Sequence, residues 1–323
     1  RYSNWGTSAT GLASPRLPTN GDILRFSSTP GPNNSNNFAA LSAAQLVFAR
    51  DAGAFVLQGN ALRLSGGITL DATTNQAINL PLVLSGTQSW DLVGSGSLRV
   101  ESLAFDGINA INLAISKPTA SAVRIGAGGL TNLSATRASV VPVVNGTFVP
   151  GSGGLVLDAS QVWDGGTLGG GIDVYAPVTV GDCSLTLRNR VTVFGNSALE
   201  LGQQGLAQLT LESRSRWEAQ AITLGSTAFS AAELRLAGSA TMRSDTFIDV
   251  GTLGQGLLDL RSGGRLTAPT LRLGSKGTVQ LAGGALEVGT IEPGFCAVFD
   301  WTSGELRYTG NAGVGQGVLD SLL

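Results

Sequence analysis

The chain has 323 residues, a formal net charge of -2, 46 glycines, 13% charged residues and no histidine. Its 20 Lys and Arg stand singly among 22 Asp and Glu, so there is no basic stripe and nucleic acid is not expected as a partner. No apolar run reaches the roughly 18 residues of a membrane span, and without histidine the chain lacks Ser-His-Asp and Cys-His catalysis and the commonest transition-metal ligand.

Residues 1–54 read as an irregular cap. They hold Trp5, Pro15, Pro18, the turn Asn20-Gly21-Asp22, a short alternating strand Ile23-Leu24-Arg25-Phe26, and a turn-rich run over residues 30–37. A cap is expected because stacked repeats otherwise expose an adhesive apolar end. Residues 39–47 fit either a helical turn or a strand.

From Phe55 the alternation is regular, and residues 55–323 read as a β-solenoid. The phrases Leu62-Arg63-Leu64, Ile68-Thr69-Leu70, Leu98-Arg99-Val100 and Leu103-Ala104-Phe105 each put one residue outward between apolar neighbours, and turn residues mostly separate them. Residues 117–154 break the rhythm with Pro118, Pro142, Pro150 and a glycine-rich end. Within them, residues 140–149 read as a hairpin around Asn145-Gly146. The segment is an insertion or a hinge, and its β-branched content favours an insertion. Leu155-Val156-Leu157 restarts the pattern.

Residues 208–288 are the most even part. The pairs Leu209/Leu211, Leu234/Leu236, Leu258/Leu260 and Val279/Leu281 stand about 21 to 25 residues apart, a period typical of stacked repeats. After the first three comes one apolar residue (Trp217, Met242, Leu266), then a pair closed by glycine: Ile222/Leu224, Ile248/Val250 and Leu271/Leu273. The fourth copy is compressed. So short a unit cannot bury its own apolar face, which predicts an all-β parallel β-helix with about three short strands per coil. An antiparallel sandwich also has short, evenly spaced strands. It does not require the same phrase in successive units.

These residues also resemble a known family, the bacterial exported and cell-surface proteins with autotransporter-associated β-strand repeats, including planctomycete and PEP-CTERM-type β-helical proteins. The resemblance rests on Trp5, Pro18, Gly21-Asp22, Leu24 and Phe26, then Leu62, Leu64, Gly66-Gly67-Ile68, Pro81-Leu82, Gln88 and Trp90. Further on it rests on Leu258-Asp259-Leu260, Gly263-Gly264, Gly283-Gly284-Ala285-Leu286 and Phe299-Asp300-Trp301. It implies export and a right-handed parallel β-helix, and it supplies no catalytic residue.

The chemistry-bearing residues point to no site. Asp245/Asp249, Asp158/Asp164 and Glu212/Glu218 are the carboxylate pairs that polysaccharide cleavage would need, and each also reads as solvated side chains or turn caps. Asp182 and Asp300 sit beside turns, and Gly165-Gly166-Thr167-Leu168-Gly169-Gly170-Gly171 reads as a turn between coils. Trp90, Trp163, Trp217 and Trp301 read as core or coil-end residues rather than a sugar-stacking row. Cys183 and Cys296 are about five coils apart, on the order of 24 Å at ~4.8 Å per coil, too far for a disulfide within one chain. No catalytic residue, cofactor site or metal site is assigned.

The start at Arg1 and the apolar close Val318-Leu319-Asp320-Ser321-Leu322-Leu323 read as interior cuts or covered ends. The reading that results is a non-enzymatic extracellular or cell-surface structural rod. Its expected partner is itself, in a homo-oligomer or fibre through coil ends, with cell-surface glycan as a further partner. The alternative is a polysaccharide-binding or polysaccharide-cleaving β-helix.

Overall fold

Strict alternation of apolar and polar residues leaves a strand with one dry side and one wet side, and short turns bring each strand back over its predecessor. In a computed structural model of the chain, this pattern gives strands throughout and no helix among the described residues, which are 17–29, 34–86, 88–105, 111–116, 123–132, 145–149, 155–157, 161–164, 170–174, 177–195, 197–203 and 205–310. The segments Leu206–Leu211, Ala231–Leu236 and Phe247–Val250 each bury every second residue.

The strands pair in parallel with their equivalents in the next coil, and the fold is a β-solenoid. Three inward rows define its C-terminal half. The first runs Val178, Leu199, Ile222, Ile248, Leu271, Ile291. The second runs Leu185, Leu209, Leu234, Leu258, Val279, Phe299. The third runs Val193, Trp217, Met242, Leu266, Leu286 and Leu306. All of these except Leu306 are buried, so the core is one continuous apolar column. The three parts of the repeated phrase thus correspond to the three faces of the coil.

Coil length varies while the register of inward residues holds. Along these three rows, steps range from 20 residues (Val279 to Phe299) to 26 (Ile222 to Ile248). The difference is absorbed at the corners. The compressed fourth copy belongs to Gly277–Pro293, a strand that continues around its bends instead of breaking into turns.

Two sequence expectations need correction. The boundary at residue 55 is too late, because Asp22–Phe26 pairs in parallel with Leu41–Phe48, and Leu41–Phe48 with Leu62–Leu70. Residues 22–48 therefore already contribute coils. Leu24, Phe26, Leu46 and Phe48 are buried, with the rings of Phe26 and Phe48 stacked at 5.0 Å. The polar, turn-rich sequence over residues 30–37 hid this alternation, although Asn34–Asn36 is itself a strand parallel to Val56–Gly59. Residues 1–16 lie outside the described residues.

The second correction concerns Asn145-Gly146. Asn145–Val149 is a strand, parallel to Ile111–Ser116 on one side and Gly170–Val174 on the other. Asn-Gly favours a hairpin turn only when no neighbouring strand offers partners for its backbone, and here two do. Another ladder, Leu57, Ile78, Val100, Ile125, Leu157, Val180, Leu201, passes through the same region without a break. Its step from Ile125 to Leu157 is 32 residues, longer than its other steps. Residues 133–144 lie outside the described residues.

Two glutamines inside the column are fully partnered, while the buried hydroxyl of Ser215 has no hydrogen-bond partner. Gln88 accepts the indole N–H of Trp90 at 3.1 Å and donates to the carbonyl of Leu64. Gln76 accepts from the backbone N–H of Phe55 and donates to the carbonyl of Gly53, both at 2.9 Å. Each glutamine links neighbouring coils while satisfying groups that would be costly to bury alone.

Candidate functional site

With the core fixed by stacking, chemistry can enter only on the outer rows and corners. On the second face, the register sets Arg235 over Asp259, and Arg261 lies two positions along from Asp259 on the same side. One oxygen of Asp259 accepts from the Nε of Arg235 at 2.9 Å and from that of Arg261 at 2.8 Å. Arg235 also meets Glu233 at 2.6 Å, and Glu233 accepts from Gln208 at 2.9 Å. Asp259 is covered by the side chains of its two partners, as long guanidinium stems do on an apolar sheet. This network is self-satisfied and works as a clasp across three coils.

On the first face, Arg272 lies 4.4 Å above the ring of Phe247 and contacts Glu292 at 3.2 Å. Its distance to Asp249 is 3.6 Å, beyond hydrogen-bond length, and Oδ1 of Asp249 is buried with no hydrogen-bond partner. Burial holds the Asp249 carboxyl above its ordinary pKa, with Glu292 adding to the effect and Arg272 opposing it. A raised carboxylate pKa favours the protonated fold, so the stability it contributes is full at low pH and lost as pH rises through the folded pKa. Asp249→Asn is therefore expected to match the parent in acid and to melt higher at neutral pH. Calorimetry across that range checks this, and an Asn variant less stable at neutral pH would show that the pairing with Arg272 outweighs burial.

The other sequence candidates do not converge. Asp245 is exposed and pairs with Arg243 at 3.1 Å, and Glu218 pairs with Arg216 on its own strand. Asp182 is a turn cap, accepting the backbone N–H of Leu206 at 2.9 Å, and Asp300 is exposed. Asp158 and residues 165–169 lie outside the described residues, whereas Gly170 and Gly171 belong to a strand rather than a turn. Trp90, Trp163 and Trp217 are core residues, with the last two stacked at 6.0 Å, while Trp301 is partly exposed. Cys183 is buried, Cys296 is exposed, and no disulfide joins them. Among the described residues, no cluster of three or more His, Cys, Asp or Glu could hold a metal ion. No helix there is long and apolar enough to cross a membrane.

The feature that sequence reading missed lies at the corner between the first and second faces. A groove of about 570 Å³ follows this corner along the rod. Its floor is small (Ala231, Ala232, Gly256, Gly277), and Leu206 and Val298 lie toward its two ends. Coil by coil, Leu206, Ala231 and Gln255 succeed one another in register, Gly256 pairs with Gly277 and Thr278 with Val298, and Lys276 and Cys296 line the groove just before those last two strands. Beside them the turns expose Phe229 at 98%, Leu253 at 57% and Phe295 at 89%. Large apolar residues rarely collect on one exposed edge without a partner. The signal was present as phenylalanine inside two turn segments, Thr227-Ala228-Phe229-Ser230 and Gly294-Phe295-Cys296, where polar residues are usual.

No protein family, curated protein or solved structure matches this chain.

Proposed function

We propose that the chain is a non-enzymatic, exported structural protein, a rigid β-helical rod of a surface layer, sheath, fibre or adhesin, of the kind that carries autotransporter-associated repeats. The observation that carries this reading is the parallel ladder that runs in register from Leu57 by way of Ile78, Val100, Ile125, Leu157 and Val180 to Leu201, with an apolar column along the C-terminal half. Such a ladder resists bending, because every coil is hydrogen-bonded to both neighbours along its length. The clasp around Asp259 adds stiffness on the outside.

End-to-end assembly is part of the proposal. Trp301 stands in register with Leu281, yet Leu281 is fully buried and Trp301 is 41% exposed. Apolar surface and strand backbone at a coil end are what another coil can add to.

Negative-stain microscopy and light scattering of the purified chain over a range of concentrations test this reading, together with a reducing-sugar release assay on bacterial and plant polysaccharides. Stiff rods that lengthen with concentration and release no sugar are expected. Release of reducing sugar, or flexible particles with independently moving halves, would overturn it.

A further inference from the structure

We propose that the corner groove and its apolar rim form a side-by-side contact between two antiparallel copies of this chain. The inference goes beyond end-to-end growth, since it needs no free coil end.

Three observations select a second copy as the occupant. First, the rim residues are spaced by the coil itself: Phe229, Leu253 and Phe295 each precede a groove residue (Ala231, Gln255, Cys296) by one or two positions. Another rod of the same pitch therefore matches knob to groove over the full run, roughly 19 Å for four steps at ~4.8 Å each. Second, the groove is centred on Gln255. A two-fold axis there, directed along the strands, reverses coil order and makes the contact self-complementary. It sets Phe295 and Cys296 of one copy over Leu206 of the other, Leu253 over Leu253, and Phe229 over the small floor at Ser275 and Gly277.

Third, the charges choose the direction. Lys276 lines the groove and makes no ion pair among the described residues. The antiparallel arrangement lays Lys276 over Ala231 of the second copy, two strand positions (about 7 Å) from Glu233, within reach of a lysine side chain. A parallel arrangement would instead set Lys276 level with Lys276 and Glu233 level with Glu233, opposing like charges.

Sedimentation velocity on the full chain is the first test. A concentration-dependent dimer is expected, and Phe229→Ser with Phe295→Ser should weaken it by at least about tenfold. Both side chains are exposed, so thermal unfolding measured well below the dimer's dissociation constant should stay unchanged in the double variant, which separates lost contact from lost fold. The second test fixes the geometry: Gln255→Cys in a Cys296→Ser background should give a disulfide-linked dimer on mild oxidation, and Thr241→Cys in that background should not.

Three outcomes would overturn the proposal. One is a chain that stays monomeric at all concentrations, whether or not its rim binds lipid vesicles or glycan beads. Another is a dimer indifferent to the two serine substitutions. The third is equal crosslinking at both cysteine positions. Rods that lengthen end to end while side-by-side association is indifferent to the two serine substitutions would remove the lateral contact and leave the proposed function standing.

Discussion

Gly251→Ala is expected to unfold the C-terminal coils at temperatures where Gly21→Ala leaves them intact. Both glycines have a left-handed backbone, with φ of +70° at Gly251 and +88° at Gly21. A side chain in that conformation costs roughly 1–2 kcal/mol at either position. The surroundings differ. A Cβ at Gly21 would meet nothing within 4 Å, whereas at Gly251 it would lie 2.3 Å from the backbone nitrogen of Gly277 and 2.4 Å from the carbonyl carbon of Lys276. Those atoms belong to the next coil and are held by its own hydrogen bonds, so neither can give way without opening the stack. The total penalty at Gly251 is expected to exceed about 4 kcal/mol, the range kept for severe steric or core damage. Thermal and urea unfolding of the two variants measure it. Equal losses would mean that the corner has room to relax and that coil spacing there is not dictated by backbone contact.

Leu234→Ala is the second large effect. Leu234 is completely buried and stands in register between Leu209 and Leu258, so it packs against coils on both sides. Removing a buried leucine side chain costs about 3–5 kcal/mol, the transfer term plus the cavity that close packing cannot collapse. A stack held by nearest-neighbour contacts is weakest where two adjacent interfaces are damaged together. The expected result is a lowered urea midpoint and a broadened transition, as coils on either side begin to unfold separately. Val93→Ala is the control, since Val93 is exposed and should change stability by no more than about 0.5 kcal/mol. A Leu234→Ala transition as sharp as the parent's would show that the column unfolds as one unit despite the defect.

The two experiments probe different supports of one architecture. The leucine reports on the apolar column, and the glycine on how closely neighbouring corners approach. Pitch depends on both, and the antiparallel side contact inherits that pitch.

Much of the fold was legible in the chain. The phrase around Leu209, Trp217 and Ile222 names the three faces of a coil, and its returns at Leu234, Met242 and Ile248 and then at Leu258, Leu266 and Leu271 reproduce the observed register. The N-terminal coils were harder to see because a Pro- and Asn-rich sequence over residues 30–37 separates Asp22–Phe26 from its partner Leu41–Phe48. Asn145-Gly146 misled for a related reason, since a turn signal describes only what a dipeptide prefers when alone. The groove was least legible. Phe229 and Phe295 are far apart in the chain and meet on one edge only because three intervening turns of coil stack them there.

The sequence by itself determined which side chains face inward and that the strands must stack, because alternation has a period of two and a unit this short cannot close its own core. Only the tertiary structure decided where the coils begin, how the 32-residue step at Ile125 is carried, and which exposed residues share a corner. Those outcomes depend on corner lengths that vary from coil to coil, and corner lengths set spatial neighbours without leaving any period in the sequence.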